Sequence, residues 1–320
     1  MTAAIGPAVA SLGELLVEFV CTEKDGHNRL AAPYVGPFPS GAPGIFIDQA
    51  ARVGARAIFA GAVGSDAFGG VLTDRLTGVG VSNELIRVVD GVPTGSAFVS
   101  YNSDGTRDFV FNIAHSAAAH LPDADEITAA FCVYGTGVFH ISGSTLGDGA
   151  MRATALEVAR GLAEAGIAIS FDPNVRKELL GDPGYFAAVE ALTALSTYFL
   201  PSEEDAAVLF PGAEFADYAG RLIAAGAESV VLKRGEFGCL GLDRRGERVS
   251  LPAHRTTVVD PTGAGDCFCA TYVALRTLGL PFAAALARAN AAGALAVGRL
   301  GPMEGNSNLA AIERRLEGAA

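Results

Sequence analysis

At 320 residues, half of them apolar and only 18% charged, the chain has enough apolar material for one large buried core, and its length alone allows one or two domains. A net charge of −12 with no run of Lys and Arg argues against a nucleic-acid partner. No unbroken apolar stretch approaches the roughly 18 residues of a membrane span and no basic segment precedes an apolar one at the N-terminus, so a soluble cytoplasmic protein is expected.

Residues 8–20 are apolar but interrupted at Gly13-Glu14, and residues 22–39 are rich in polar, Gly and Pro residues, which reads as a core strand leaving the main body. Residues 40–54 begin as a small-residue turn and become helical, with Ile45, Phe46, Gln49 and Val53 on one side. A buried strand is predicted over 57–63 and a helix over 68–76, ending near Gly78 and Gly80. Residues 94–101 and 107–113 are β-rich and flank Asn102-Ser103-Asp104-Gly105-Thr106, where Asp-Gly predicts a hairpin.

After Leu121 the pattern becomes regular. Strands over 138–141, 167–171, 198–200 and 229–233 alternate with helices over 149–165, 185–195, 203–209 and 216–225. That alternation predicts an α/β fold with a mostly parallel sheet covered on both faces. Helices over 266–278 and 282–297 and a polar C-terminal one close the chain. With no internal repeat, low-complexity tract or long linker, a single domain over 1–320 is expected.

Cys21, Cys132, Cys239, Cys267 and Cys269 are odd in number and lack zinc spacing, so they read as reduced core thiols. His27, His115, His120, His140 and His254 show no metal spacing either. Neither a Walker sequence nor a Gly-x-Ser-x-Gly elbow is present.

The strongest local signal is Val258-Val259-Asp260-Pro261-Thr262-Gly263-Ala264-Gly265-Asp266-Cys267-Phe268. A β-branched pair enters a Pro/Gly turn that opens a helix. Such a turn leaves the first helical N–H groups unpaired, and Gly263 and Gly265 have no side chains to keep an anion away from them. Asp266 adds a carboxylate suited to take a proton from a hydroxyl; a glycine turn capped by Asp266 is the plainer alternative.

Lys233-Arg234-Gly235-Glu236-Phe237-Gly238 puts amides and a cation at a strand's carboxyl end, where parallel sheets bind ligands, although an ordinary turn reads the same way. Phe171-Asp172-Pro173-Asn174-Val175-Arg176 ends a strand in Asp and Asn, for which helix capping is the competing explanation. Ser202 in Pro201-Ser202-Glu203-Glu204-Asp205 is likewise a candidate cap.

Taken together, these strings resemble the ribokinase-like, or PfkB-type, carbohydrate kinases. The resemblance spans nearly the whole chain and implies a three-layer α/β/α sandwich with a mostly parallel central sheet and a small β-sheet lid, here residues 15–39 and 94–113. It implies an ATP-dependent sugar kinase that uses Mg2+, with the amides of Gly263, Ala264 and Gly265 holding the transferring phosphoryl group and Asp266 as the base. Lys233, Gly235 and Gly238 then stand in the nucleotide turn, Asn290 near the adenine, and Asn174 and Arg176 towards the phosphates. Ser202 and Asp205 occupy the place of the family's Asn-x-x-Glu, with Asp205 as a magnesium residue. Asp260 and Thr262 stand where relatives bind a monovalent cation such as K+, with Pro261 altering the usual composition.

On the sugar side the resemblance implicates Glu14, Gly41, Ala42, Asp48, Tyr101 and Arg107. Ser40-Gly41-Ala42-Pro43-Gly44 resembles the signature Gly-Gly-x-x-x-Asn, but Ile45 replaces the Asn, leaving Asp48 or Gln49 to supply that contact. Lids of relatives often pair, which implies a homodimer through the lid. Acid-sugar kinases of the family carry an Arg late in the second lid strand; here that place is Ile113, so a neutral ketohexose such as fructose or tagatose is expected. 2-Keto-3-deoxygluconate is the alternative acceptor. The rival functions are a nucleoside kinase and a non-catalytic sugar- or nucleoside-binding regulator on the same scaffold.

Overall fold

The structure, a computed structural model, describes residues 7–318. In β1 (Ala8–Leu12) every residue is buried, and the strand alternates between two cores: Val9 packs on one side, Ala8, Ala10 and Leu12 on the other. That is the signature of a strand covered on both faces. After Gly13-Glu14 the chain leaves the sheet as β2 (Leu16–Cys21), returns along β3 (Tyr34–Ser40), and enters α1 (Ala42–Arg52) at Gly41. β4 (Arg56–Gly64), α2 (Ala67–Gly78, capped by Asp66) and β5 (Ser82–Val89) follow. β6 (Gly95–Tyr101) and β7 (Arg107–Asn112) form a hairpin in which Tyr101 pairs with Arg107.

The second half runs α3 (Ala124–Val133), β8 (Thr136–Ser142), α4 (Gly149–Glu164), β9 (Ala168–Asp172), α5 (Pro183–Leu195), β10 (Tyr198–Phe199), α6 (Glu203–Leu209), α7 (Phe215–Ala224) and β11 (Ser229–Lys233). β12 (Cys239–Asp243) and β13 (Arg248–Leu251) then complete the sheet, and α8 (Ala264–Thr277), α9 (Phe282–Ala296) and α10 (Leu309–Glu317) end the chain. α8 is buried on every side from Cys267 to Leu275, which explains its nearly continuous apolar sequence.

The large sheet has nine strands in the order β13-β12-β11-β10-β9-β8-β1-β4-β5. The strands from β5 to β11 in this order are mutually parallel, while β12 pairs antiparallel with both β11 and β13. One core lies under α1, α2, α8, α9 and α10 and the other under α3 to α7, which gives three layers, α/β/α. A separate four-stranded sheet, β3-β2-β6-β7, stands beside them. Parallel pairing aligns the carboxyl ends of β1, β8, β9, β10 and β11 on one edge, the usual ligand edge of such sheets.

Several elements escaped the sequence. β3 lies in a stretch whose residues read as polar and turn-rich, although the family resemblance places it in the lid sheet, and β5, α3, β12 and β13 are not among the predicted elements. Cys132 is exposed on α3 and so is not a core thiol, whereas the other four cysteines are buried. Among the described residues no helix is long and apolar enough to cross a membrane.

Candidate functional site

A cleft of about 900 Å3 opens along the carboxyl edge of the large sheet. Its phosphate-sized end is the turn into α8. Gly263 is the N-cap with φ 80, a left-handed conformation natural to glycine, and a Cβ there would lie 2.5 Å from the Pro302 carbonyl oxygen. No side chain caps this helix; Ala264 N makes only a long 3.5 Å bond to the Pro261 carbonyl, and the Gly265 and Asp266 amides remain open to an anion. Ala264, Gly265 and Asp266 all line the cleft, and Gly265 faces the Lys233 ammonium.

Asp266 is partly exposed at the cleft floor. Burial, reinforced by the nearby Asp172 carboxylate, raises its pKa to about 7, against the opposing pull of Lys233 and Arg176. It therefore gains and loses its proton near neutral pH. Lys233, at the end of β11, forms an ion pair with Asp172 at the end of β9. Burial works against the Lys233 ammonium, but Asp172 and Asp205 outweigh it and keep the group charged. Cys269 Sγ lies 3.4 Å from Asp172 Oδ2 and closes this buried cluster.

Around this floor, Asn174, Ser202, Asp205, Lys233, Gly235, Gly238 and Asn290 all line the cleft. Gly238 has φ 87, and a Cβ there would strike the Leu251 carbonyl oxygen at 1.9 Å, so only glycine lets the turn after β11 lie against the end of β13. Asn290 donates to the Pro252 carbonyl at 2.7 Å. Ser202 and Asp205 form a capping box on α6: the Ser202 hydroxyl accepts from Asp205 N at 3.1 Å, and Asp205 Oδ2 accepts from Ser202 N at 2.8 Å. Asp205 Oδ1 also accepts from Val175 N at 2.7 Å, tying the β9 and β10 loops together. Arg176 does not line the cleft; its charge bears on Asp266 and Glu14.

Of the residues implicated on the sugar side, Glu14, Gly41, Ala42 and Tyr101 are absent from the lining of this cleft. Glu14 accepts from Ser144 Oγ at 2.6 Å and Thr145 Oγ1 at 2.9 Å, and its burial raises its pKa. Gly41 packs on the Glu14 carbonyl, which brings Ala42 and the start of α1 beside it. Glu18, on β2, is buried with its pKa raised to about 7 by burial and by Asp260, and its Oε1 has no hydrogen-bond partner. Sequence reasoning missed Glu18, although an acidic residue inside the apolar run Leu16-Val17-Glu18-Phe19-Val20 was a legible anomaly. Ser144 and Thr145 gave no such signal.

Two expectations need correction. Asp48 does not reach the cleft: it is fully buried and held by Arg52 at 2.6 Å, Arg75 at 2.6 Å and Asn306 at 2.8 Å. Gln49 is equally committed, to Thr271 and Ser307, so neither replaces the amide lost at Ile45. Asp260 Oδ1 accepts from the Tyr101 hydroxyl at 2.5 Å and Thr262 N at 2.9 Å, and Oδ2 from Gly301 N alone at 3.0 Å, while Thr262 Oγ1 accepts from Arg107 at 3.1 Å. Asp260 Oδ2 therefore keeps a lone pair that a cation could use.

Comparison with known proteins agrees with this geometry. The family described as pfkB family carbohydrate kinase matches residues 7–309. Fructokinase of Klebsiella pneumoniae is 30% identical over 91% of this chain and 94% of its own, and Probable fructokinase-4 of Arabidopsis thaliana is 31% identical over 81% and 79%. A structure described as a putative Ribokinase II from E. coli, in complex with ATP and Mg2+, superposes with TM-score 0.90 at 37% identity, covering 97% of this chain and 99% of that one. With the family matched across nearly all of its length, this chain belongs to the pfkB family carbohydrate kinases.

Proposed function

We propose that this sugar kinase transfers the γ-phosphoryl group of ATP to the terminal primary hydroxyl of a neutral ketohexose of the fructose or tagatose type. The observation that carries the reading is Asp266, a carboxyl poised near pH 7 beside a helix N-terminus without a side-chain cap. A base with such a pKa takes a hydroxyl proton as the oxygen attacks, and the neighbouring amides stabilise charge on the transferring group. Phosphoryl transfer asks for little more than this positioning and charge neutralisation.

Lys233, Asn174, Gly235, Gly238 and Asn290 are placed to hold the nucleotide along the cleft. Asp205 and Asp172 line the cleft and are the carboxylates that would meet a magnesium ion held largely by substrate phosphates. Magnesium, when bound, neutralises phosphate charge.

A neutral acceptor suits the sugar end, because Glu14 and Glu18 put two buried carboxylates there. A sugar acid would bring a third. The fructokinases among the relatives support the same choice. Exposed Val110 and Phe111 on the free edge strand β7 favour pairing of two lids.

The test is coupled ADP release with fructose, tagatose, ribose, adenosine and 2-keto-3-deoxygluconate. The highest kcat/KM is expected for a ketohexose. A 2-keto-3-deoxygluconate value above every ketohexose overturns the acceptor, and a highest value for adenosine makes the chain a nucleoside kinase.

A further inference from the structure

Arg107 opens β7, on the lid hairpin, yet its guanidinium lines the nucleotide cleft together with Lys233, Gly265 and Asp266. Its Nη1 donates to Thr262 Oγ1 at 3.1 Å, one residue before the Gly263 cap of α8. The side chain crosses the Phe109 ring with Cζ 5.5 Å from the centroid, and its cross-strand partner Tyr101 anchors the same hairpin through the 2.5 Å bond to Asp260. Two independent contacts thus fix the lid tip against the anion turn.

Charge explains why a cation there matters. Lys233 is matched by Asp172, and Arg234 by Glu203 at 2.9 Å. Asp205 and Asp266 add further negative charge at the same end of the cleft. A triphosphate therefore meets an acidic floor on which Lys233 and Arg234 are largely offset, and among the described residues Arg107, Arg176 and Arg255 are the nearby cations in no ion pair with a carboxylate. Arg107 has no carboxylate ion-pair partner among the described residues, so most of its N–H donors stay available. Its charge is felt by Glu18 on β2.

We propose that Arg107 is a lid-delivered phosphate ligand: when the lid closes on the sugar, its guanidinium contacts the transferring phosphoryl oxygens beside the Gly263, Ala264 and Gly265 amides. The proposal deepens the kinase reading above, and reassigns Arg107 from the sugar to the phosphate. Because the cation rides on the lid, transition-state charge is stabilised fully only with sugar in place, and ATP is protected from water until then.

The test compares Arg107→Ala and Arg107→Lys with the parent, using the best sugar from the acceptor screen. Arg107→Ala should lower kcat by roughly 10³-fold, at the low end for a phosphate-directed arginine, and Arg107→Lys should recover part of the loss. Sugar KM should move by less than about threefold, since ground-state sugar binding does not use the residue. Calorimetry adds a second readout. In the parent, sugar should tighten AMP-PNP much more than ADP, because only the former carries a γ-group, and in Arg107→Ala that difference should vanish. An alanine variant with parental kcat, or with sugar KM as its main change, overturns the proposal while parental turnover leaves the kinase reading standing. An undiminished AMP-PNP preference overturns it as well.

Discussion

At the α8 end of the cleft the chemistry is set largely by backbone: a helix without a side-chain cap, a left-handed Gly263, and a glycine turn that admits a close neighbour at Gly238. Around Glu14 and Glu18 it is set by side chains, with Ser144 and Thr145 from one other segment and Ser40 from a second holding the two carboxyl groups. Backbone sites depend on residues that are close in sequence and tolerate little substitution. Side-chain sites depend on strand register and on which face of the lid looks inward, and those are decided by long-range pairing.

The largest effect should come from Asp266. Asp266→Asn removes the proton acceptor and should lower kcat by roughly 10²- to 10⁴-fold while ATP still binds. In the parent, kcat/KM should rise about tenfold per pH unit below about 7 and level off above it, since the carboxyl must be ionised to act. Turnover of the asparagine variant within a factor of a few of the parent would remove Asp266 from the mechanism.

Glu18 breaks the comparison from the other side. Its folded pKa of about 7 exceeds the ordinary 4.5, so the folded state binds the extra proton and its contribution to stability is lost as pH rises from about 4.5 through about 7. Above that range the buried charge costs on the order of 3 kcal/mol. Glu18→Gln should therefore raise the Tm at pH 8, make little difference at pH 4, and raise sugar KM. A lower Tm at pH 8 would mean that the carboxylate is stabilised by its surroundings and not penalised.

The same contrast governs what was legible in the sequence. The alternating strands and helices, the hairpin at Asp104-Gly105 and the turn into α8 are local, and the structure has them within a residue or two of their predicted bounds. Asp48 was misread because spacing from Gly41 says nothing about Arg75, 27 residues away, or Asn306, 258 residues away, which hold its carboxylate. Glu18 was missed for the complementary reason. Its environment is assembled from β2, from Ser40 at the end of β3 and from Asp260 far along the chain. The reach of Arg107 to Thr262 spans 155 positions and has no local signature at all.

The smallest effect tests a site where backbone capping and metal chemistry share the same atoms. Ser202 and Asp205 cap α6 reciprocally, and Asp205 also lines the cleft facing the phosphate end. If the pair only caps, Ser202→Ala and Asp205→Asn should each cost about 1 kcal/mol of stability, the usual worth of an N-cap, with kcat and the magnesium requirement unchanged. If Asp205 also orients magnesium, the two variants separate. Ser202→Ala should still lose about 1 kcal/mol with near-parental turnover, whereas Asp205→Asn, whose single oxygen can accept from Ser202 N or from Val175 N but not from both, should lose stability and also need more magnesium for half-maximal rate. Thermal melts beside magnesium titrations of both variants distinguish the cases, and a magnesium requirement of Asp205→Asn equal to the parent's assigns Asp205 to the capping box alone.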